Sequence, residues 1–311
     1  MILVIGANGQ IGTELVEALC ARFGAEAVVA TDLAPTGRVA AVRYEVLDCL
    51  DAVKLRELAV RYHVRQVYLL AAALSAKGEH NPLWAWDLNV RSLLNVLELA
   101  RTFALERVFW PSSIAAFGPS TPSTLAPQTT VMDPTTVYGF SKLVGERWCA
   151  WYHANHAIDV RSLRYPGLIS HRTAPGGGTT DYAVEIFQAA RREGRYTCFL
   201  EEHQALPLMY MPDAIRATLE LMAAPSAQVR QRGSYNLAGL SVAPAQWAQS
   251  IRRHLPHFNI SYRPDFRQRI AASWPRSIDD SAAQNDWHWR ARYDLDAIVD
   301  DMLAHVPLAN G

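Results

Sequence analysis

The run Gly6-Ala7-Asn8-Gly9-Gln10-Ile11-Gly12 follows an apolar segment, Ile2–Ile5, and opens a stretch of helical period, Ile11–Arg22, with Leu15, Val16 and Leu19 on one face. A glycine-rich turn between strand and helix lets the backbone approach a pyrophosphate, and the first helical turn offers it free N–H groups. A second strand-like run, Ala27–Thr31, ends beside Asp32, 20 residues after Gly12. An acid there accepts hydrogen bonds from the adenine ribose and repels a 2′-phosphate, so the expected cofactor is NAD rather than NADP. Gly6, Gly9, Gln10, Ile11, Gly12, Asp32, Leu33 and Asp48 are the expected cofactor residues of this half.

Outward from this turn the alternation continues. Val42–Val46 reads as a weaker strand, Ala52–Tyr62 as a charged amphipathic helix, and Val67–Ala71 as a fourth strand. A helix over roughly Trp84–Phe103, a strand at Arg107–Trp110, a helix at Tyr138–His153 and a strand at Val160–Leu163 follow. This order predicts an α/β fold, a doubly wound parallel (Rossmann) sheet covered on both faces. Composition changes after about Pro166. A Gly- and Thr-rich loop over Thr173–Thr180 leads to helices at about Tyr182–Glu193 and Pro212–Ala223, and to a short strand at Ser234–Leu237. Residues 1–165, with 206–240 returning, are expected to form the NAD-binding domain, and 166–311 mainly a smaller substrate-binding lobe. Trp247, Trp274, Trp287 and Trp289 read as core of that lobe, with Trp274 the candidate for ligand contact.

Bulk composition narrows the function classes. The length, 311 residues, corresponds to about two domains. Half of the residues are hydrophobic and only 19% charged, which suits a packed core. Thirty basic and 30 acidic residues cancel, so nucleic acid, anionic membranes and polyanionic substrates are not expected partners. Cys20, Cys49, Cys149 and Cys198 are widely separated, and no histidine has a ligand spacing such as HxxxH with a third partner. No disulfide framework and no metal site are expected. The chain opens directly on Met1-Ile-Leu-Val-Ile5, and no apolar run reaches 18 residues. The expectation is a soluble, cytoplasmic protein.

Tyr138-Gly139-Phe140-Ser141-Lys142 places Tyr and Lys at i and i+4 on one helical face. A tyrosine with a pKa near 10 is a poor base at neutral pH, and a neighbouring ammonium can bring it down by about 1–3. Ser113, at the end of the fifth strand and 25 residues before Tyr138, can hold a reacting oxygen while Tyr138 moves its proton. Ser112 is its competitor. Leu70-Ala71-Ala72 reads as the turn beneath the cofactor.

The GxxGxxG spacing, with YxxxK after it, resembles the extended short-chain dehydrogenases/reductases. Longer runs sharpen this: Leu163–Ser170, Gly176–Phe187, Met209–Thr218, Ser234–Gly239, Pro264–Gln268 and Ser273–Ser281 resemble the short-chain type of L-threonine 3-dehydrogenase, over about Met1 to Leu303. The resemblance implies oxidation of the L-threonine 3-hydroxyl to L-2-amino-3-oxobutanoate, with NAD taking the hydride and no metal required. It implies Tyr138 as base, Lys142 as its partner, Ser113 as the hydroxyl on the reacting oxygen, and Asn89 as holder of a proton-relay water. Ser75, Gly178, Thr179 and Thr180 match substrate contacts, while Tyr165 and Leu168 match positions lining the nicotinamide. Phe140 stands where a smaller aliphatic residue is expected. A homodimer through the two long helices is also implied.

Physics alone leaves the Gly178–Thr180 loop open: its N–H groups and hydroxyls could converge on a substrate carboxylate, or Thr and Asp181 could simply cap a helix. A nucleotide-sugar epimerase or dehydratase shares the fold and the Tyr/Lys pair, and Arg263, Arg267 and Arg269 could serve its diphosphate. A non-catalytic NAD-sensing regulator would lack that pair.

Overall fold

The structure, a computed structural model, describes residues 1–173 and 176–306, without the side chains of 76 and 77. In chain order the first half comprises β1 (Ile2–Ile5), α1 (Gln10–Phe23), β2 (Val28–Asp32), β3 (Arg43–Val46), α2 (Ala52–Arg61), β4 (Gln66–Leu69), α3 (Ser75–His80), α4 (Pro82–Phe103), β5 (Arg107–Phe109), β6 (Ser112–Ser113), α5 (Val137–His156), β7 (Val160–Arg161) and β8 (Leu163–Tyr165). The second half comprises β9 (Gly167–Ile169), α6 (Tyr182–Glu193), β10 (Arg195–Cys198), β11 (Leu206–Tyr210), α7 (Met211–Ala223), β12 (Tyr235–Asn236), β13 (Leu240–Val242), α8 (Pro244–His254), β14 (Asn259–Tyr262), α9 (Phe266–Ala272), α10 (Ser281–Trp287) and α11 (Leu295–His305).

The central sheet runs β3-β2-β1-β4-β5-β7, parallel throughout. Chain order reverses between β1 and β4, so a crevice opens there at the carboxyl edge. All four residues of β1 are buried, as a strand covered on both faces requires, whereas the edge strand β3 is partly exposed. Beyond β5 and β7 the chain shifts and continues as β6 and β8, and β12 pairs with β8 as a further parallel strand. Leu15, Val16 and Leu19 of α1 pack with Ala214, Ile215 and Leu221 of α7. A separate core joins Ile186 and Phe187 of α6, Leu206 and Leu208 of β11, Trp247 and Ile251 of α8, and Ile298 and Met302 of α11. Mixed strands β13-β11-β9 and the parallel pair β10-β14 accompany it.

The doubly wound parallel sheet agrees with the sequence expectation, with local differences. The sixth strand expected over Val160–Leu163 divides at Ser162, because β7 pairs with β5 whereas β8 pairs with β6 and β12. The fourth strand stops at Leu69; Leu70 and Ala71 instead turn over the end of β1 and donate their N–H groups to the Ile5 carbonyl, at 2.8 and 3.1 Å. Helix α3 was not expected. Its six residues are too few to show a period, but Glu79 within it accepts from the Val137 N–H at 2.8 Å and so fixes the start of α5. Among the described residues no helix is long and apolar enough to cross a membrane.

Candidate active site

The glycine turn is held by two contacts that no side chain could share. Gly6 has φ +87°, and a Cβ there would lie 2.6 Å from the Ala71 nitrogen; at Gly12 a Cβ would lie 2.2 Å from the Gly6 carbonyl oxygen. Gly9 differs. Its φ is −71°, open to any residue, and its nearest internal neighbour would be 3.3 Å away. It caps α1 with no side-chain hydrogen bond, so the N–H groups of Gln10, Ile11 and Gly12 lack intrahelical acceptors. The Gln10 Nε2 is buried without a partner. A bare turn over an open helix start, with an orphaned amide beside it, fits a dinucleotide pyrophosphate.

Asp32 ends β2, and its two carboxylate oxygens accept the N–H groups of Leu33 (2.8 Å) and Asn8 (3.0 Å). Leu33 is exposed, and so is Asp48, which accepts the Leu50 N–H at 2.9 Å in its own turn. The Leu47 N–H bonds the Asp32 carbonyl, which keeps Asp48 on the same edge of the sheet. These three residues stand apart from the cleft described next, as the adenosine end of a long ligand would require.

That cleft encloses about 800 Å³ of empty space, partly open to solvent. Gln10, Ile11, Leu70 and Ala72 line it from the dinucleotide side, Ser113, Tyr138 and Lys142 from the sheet edge, and Tyr165 and Leu168 from the ends of β8 and β9. Ser75, Gly178, Thr179, Thr180 and Trp274 complete it. Gly6, Gly9, Gly12, Ala71 and Asn89 lie behind this lining.

Helix α5 carries the Tyr/Lys pair, and Thr136 caps it by accepting the Gly139 N–H at 3.0 Å. A Cβ at Gly139 would lie 2.2 Å from the Ala115 carbonyl oxygen, so only a glycine lets α5 close on the turn after Ser113. The Ser113 hydroxyl is hydrogen-bonded with Tyr138 and also accepts the Ala115 N–H at 3.2 Å. The Ser112 hydroxyl points the other way and donates to Glu146 at 2.6 Å, within the buried Glu146–Arg164 ion pair. Ser113 is therefore the serine turned to the tyrosine.

Burial pushes the Tyr138 pKa up to about 12, with the Ser113 hydrogen bond pulling against it. Burial brings Lys142 down to about 7, with the Glu146 carboxylate pulling the other way. The Lys142 Nζ donates to the Pro111 carbonyl at 2.5 Å and sits 4.5 Å from the Trp110 ring centre and 5.4 Å from that of Tyr138. Desolvation dominates at Tyr138, contrary to what the i, i+4 spacing alone predicts.

Asn89 spends its amide on protein. Its Oδ1 accepts the Ala73 N–H at 2.8 Å, and its Nδ2 donates to the Ala73 carbonyl and the Ser141 hydroxyl at 3.1 and 3.0 Å. It ties α4 to the turn under the cleft and to α5.

The Gly178–Thr180 loop follows neither simple reading. Asp181 makes no side-chain hydrogen bond to α6; its Oδ2 reaches back and accepts the N–H groups of Gly177 (2.9 Å) and Gly178 (2.7 Å). Those donors are therefore occupied rather than free for an anion. The loop's hydroxyls remain: Thr179 Oγ1 meets Ser75 Oγ at 3.3 Å, both nearly fully buried. Ala174 and Pro175, within the Gly- and Thr-rich run, lie outside the described residues. The Tyr165 hydroxyl is bonded to Thr218, so only its ring faces the cleft. Sequence reasoning missed Leu74, Pro111, Ile114 and Gly167, which also line the cleft or hold Lys142. Pro111 acts through a carbonyl, which no side-chain pattern reveals. Gly167 was visible only as part of Tyr165-Pro166-Gly167.

The NAD dependent epimerase/dehydratase family matches residues 2–238. The chain is similar to a GalE-like L-threonine dehydrogenase from Cupriavidus necator in holo form, at 62% identity and a TM-score of 0.97, covering 98% of this chain and 99% of that one. A monomeric L-threonine 3-dehydrogenase from a metagenome, in apo form, is 43% identical with a TM-score of 0.95, over 98% of each chain. An uncharacterized epimerase/dehydratase of Staphylococcus saprophyticus is 44% identical over 306 residues, 97% of this chain and 95% of its own length. With its open glycine turn and its cleft-lining Ser113, Tyr138 and Lys142, the chain belongs to the NAD dependent epimerase/dehydratase family, among the extended short-chain dehydrogenases/reductases, and is an NAD-dependent oxidoreductase.

Proposed function

We propose that this oxidoreductase is an L-threonine 3-dehydrogenase, converting the 3-hydroxyl to the ketone of L-2-amino-3-oxobutanoate. The observation that carries the reading is the Ser75–Thr179 hydroxyl pair, with Thr180 and Trp274, in the same cleft as Ser113, Tyr138 and Lys142. Neutral hydroxyls and the Asp181 carboxylate suit a small zwitterion. The similarity to L-threonine dehydrogenases along almost the whole chain supports it. None of Arg263, Arg267 and Arg269 is among the residues lining the cleft, and Arg267 is paired with Asp265 at 2.6 Å, which argues against a sugar diphosphate.

In this mechanism the Ser113 hydroxyl holds the substrate oxygen and the Tyr138 oxygen takes its proton. NAD, when bound at the glycine turn, supplies the hydride acceptor and a positive charge that favours the phenolate. Lys142, anchored on Pro111, keeps a donor beside the tyrosine. Asn89 is a positioning residue in this scheme, since its amide braces the turn and α5; the expected relay water would need the remaining lone pair of its Oδ1. Residues 1–165 with 206–240 form the cofactor unit of the proposal, and 166–311 mainly the substrate lobe. The dimer through α4 and α5 is part of it too, with Trp84 and Trp151 exposed on those helices; light scattering of dilute protein measures it. NADH formation should be fastest with L-threonine, set beside L-allo-threonine, L-serine and a UDP-sugar. Turnover of the UDP-sugar with none of threonine overturns the assignment.

A further inference from the structure

We infer that His171, Asp301 and His305 form a binding site for one imidazole-preferring divalent cation, zinc or nickel rather than magnesium or calcium, outside the catalytic cleft. The two sequence-distant parts of this site meet through the fold. Asp301 and His305 stand at i and i+4 on α11, on one face of the helix. His171 comes from the segment just after β9, about 130 residues earlier. One nitrogen from each imidazole and one carboxylate oxygen all lie within 4.8 Å of one another. The two rings lie nearly parallel, 17° apart, with centres 4.4 Å from each other.

The surrounding hydrogen bonds show which protons a cation displaces. The Tyr210 hydroxyl donates its one proton to Asp301 Oδ2. Towards His171 Nδ1, 3.0 Å away, it can then only accept, so that nitrogen carries the hydrogen. His305 Nδ1 lies 2.9 Å from the Asp301 carbonyl, which can only accept, so it too is protonated. These same two nitrogens face the Asp301 carboxylate, His171 Nδ1 at 4.0 Å from Oδ2 and His305 Nδ1 at 3.1 Å from Oδ1, so a cation among them takes the place of these hydrogens. A carboxylate itself held by a hydrogen bond, as Asp301 is by Tyr210, is a usual companion of metal-bound histidine. Two imidazoles and one carboxylate leave a coordination position for water, and such a set ranks zinc and nickel above the hard oxygen-seeking cations.

The location gives the cation something to do. Ser170 donates to Glu14 at 2.5 Å and Arg172 to Glu17 at 2.9 Å, so the segment bearing His171 is already fastened to α1. A cation would bind α11 to that same segment and join the C-terminal helix to the dinucleotide-binding helix through one atom.

Isothermal titration of the full chain at pH 8 with zinc, nickel and magnesium chlorides tests this, using wild type, His171→Gln, Asp301→Asn and His305→Gln. The expected result is one zinc and one nickel equivalent in wild type, no magnesium binding, and at least tenfold weaker zinc binding in each variant. Zinc should also raise the Tm of wild type and leave that of His305→Gln unchanged. The His305 side chain is mostly exposed, so this variant should match wild type in EDTA, both in Tm and in circular dichroism. Cobalt(II) should give ligand-field bands without thiolate charge transfer, which separates this site from the free cysteines. Zinc binding that is absent from wild type, or unchanged in the three variants, overturns the proposal.

Discussion

The wall of the cleft proposed for the dinucleotide is made of backbone, and the wall proposed for the substrate is made of side chains. Gly6, Gly12 and Ala71 pack main chain against main chain, and the donors offered at the start of α1 are peptide N–H groups. On the other wall, the loop N–H groups of Gly177 and Gly178 are taken by Asp181, and what remains for a ligand is the hydroxyls of Ser75, Thr179 and Thr180 with the Trp274 ring. The first wall recognises a feature shared by all dinucleotides. The second can change one residue at a time without disturbing the sheet.

The largest expected effect falls where the walls meet. Tyr138→Phe should lower kcat/KM by about 10²–10⁴ with NAD affinity retained in direct titration; full activity would mean that neither wall delivers its proton to this residue. Next, Gly12→Ala should lose about 1–3 kcal/mol of folding stability by overpacking, read as a drop in Tm. Gly9→Ala, by contrast, should fold with stability within about 0.5 kcal/mol of wild type and bind NAD about tenfold more weakly, or about 1.4 kcal/mol. Equal behaviour of the two variants would erase the distinction between a glycine kept for the fold and one kept for the ligand.

On the substrate wall, Thr179→Val removes a hydroxyl and strands Ser75. It should raise the KM for L-threonine about tenfold, the size of one hydrogen bond to a charged group, while the KM for NAD stays put. A shift in both would show that the walls are not separable. The smallest effect concerns stability of the ligand-free enzyme. Lys142 has a folded pKa of about 7, below the ordinary lysine value of about 10.4. Below pH 7 both folded and unfolded chains hold its proton, and burying that charge costs stability in full. Between pH 7 and about 10 only the unfolded chain holds it, so the cost fades as pH rises. The Tm of wild type should therefore climb relative to Lys142→Met across that window; parallel curves would show that Lys142 is not desolvated.

The same contrast explains what could be read without coordinates. A backbone wall leaves its trace in consecutive residues, so Gly6–Gly12, Asp32 and the Tyr138/Lys142 spacing were legible, and the parallel sheet with them. Ser113 was legible as one of two serines; the Glu146–Ser112 hydrogen bond and the contact of Ser113 with Tyr138 separate them. The substrate wall gathers residues 75, 178–181 and 274 by tertiary packing, and no local period announces that. Ser75 came into view through resemblance alone, while residue types left the 178–181 loop open between an anion site and a helix cap. The occupation of the Gly177 and Gly178 donors by Asp181 was hidden altogether, because a carboxylate before a helix usually bonds forward, into the helix.

Gly139 has a consequence beyond its own contacts. The methyl of an alanine there would strike the Ala115 carbonyl, and α5 would have to retreat until it cleared. The glycine turn and Asp32 lie away from that retreat, whereas α5 would loosen from β7 and α4 and carry Tyr138 away from Ser113. The distance between the proposed base and the hydroxyl beside it is thus set by the lack of one methyl group, on a residue that touches neither cofactor nor substrate.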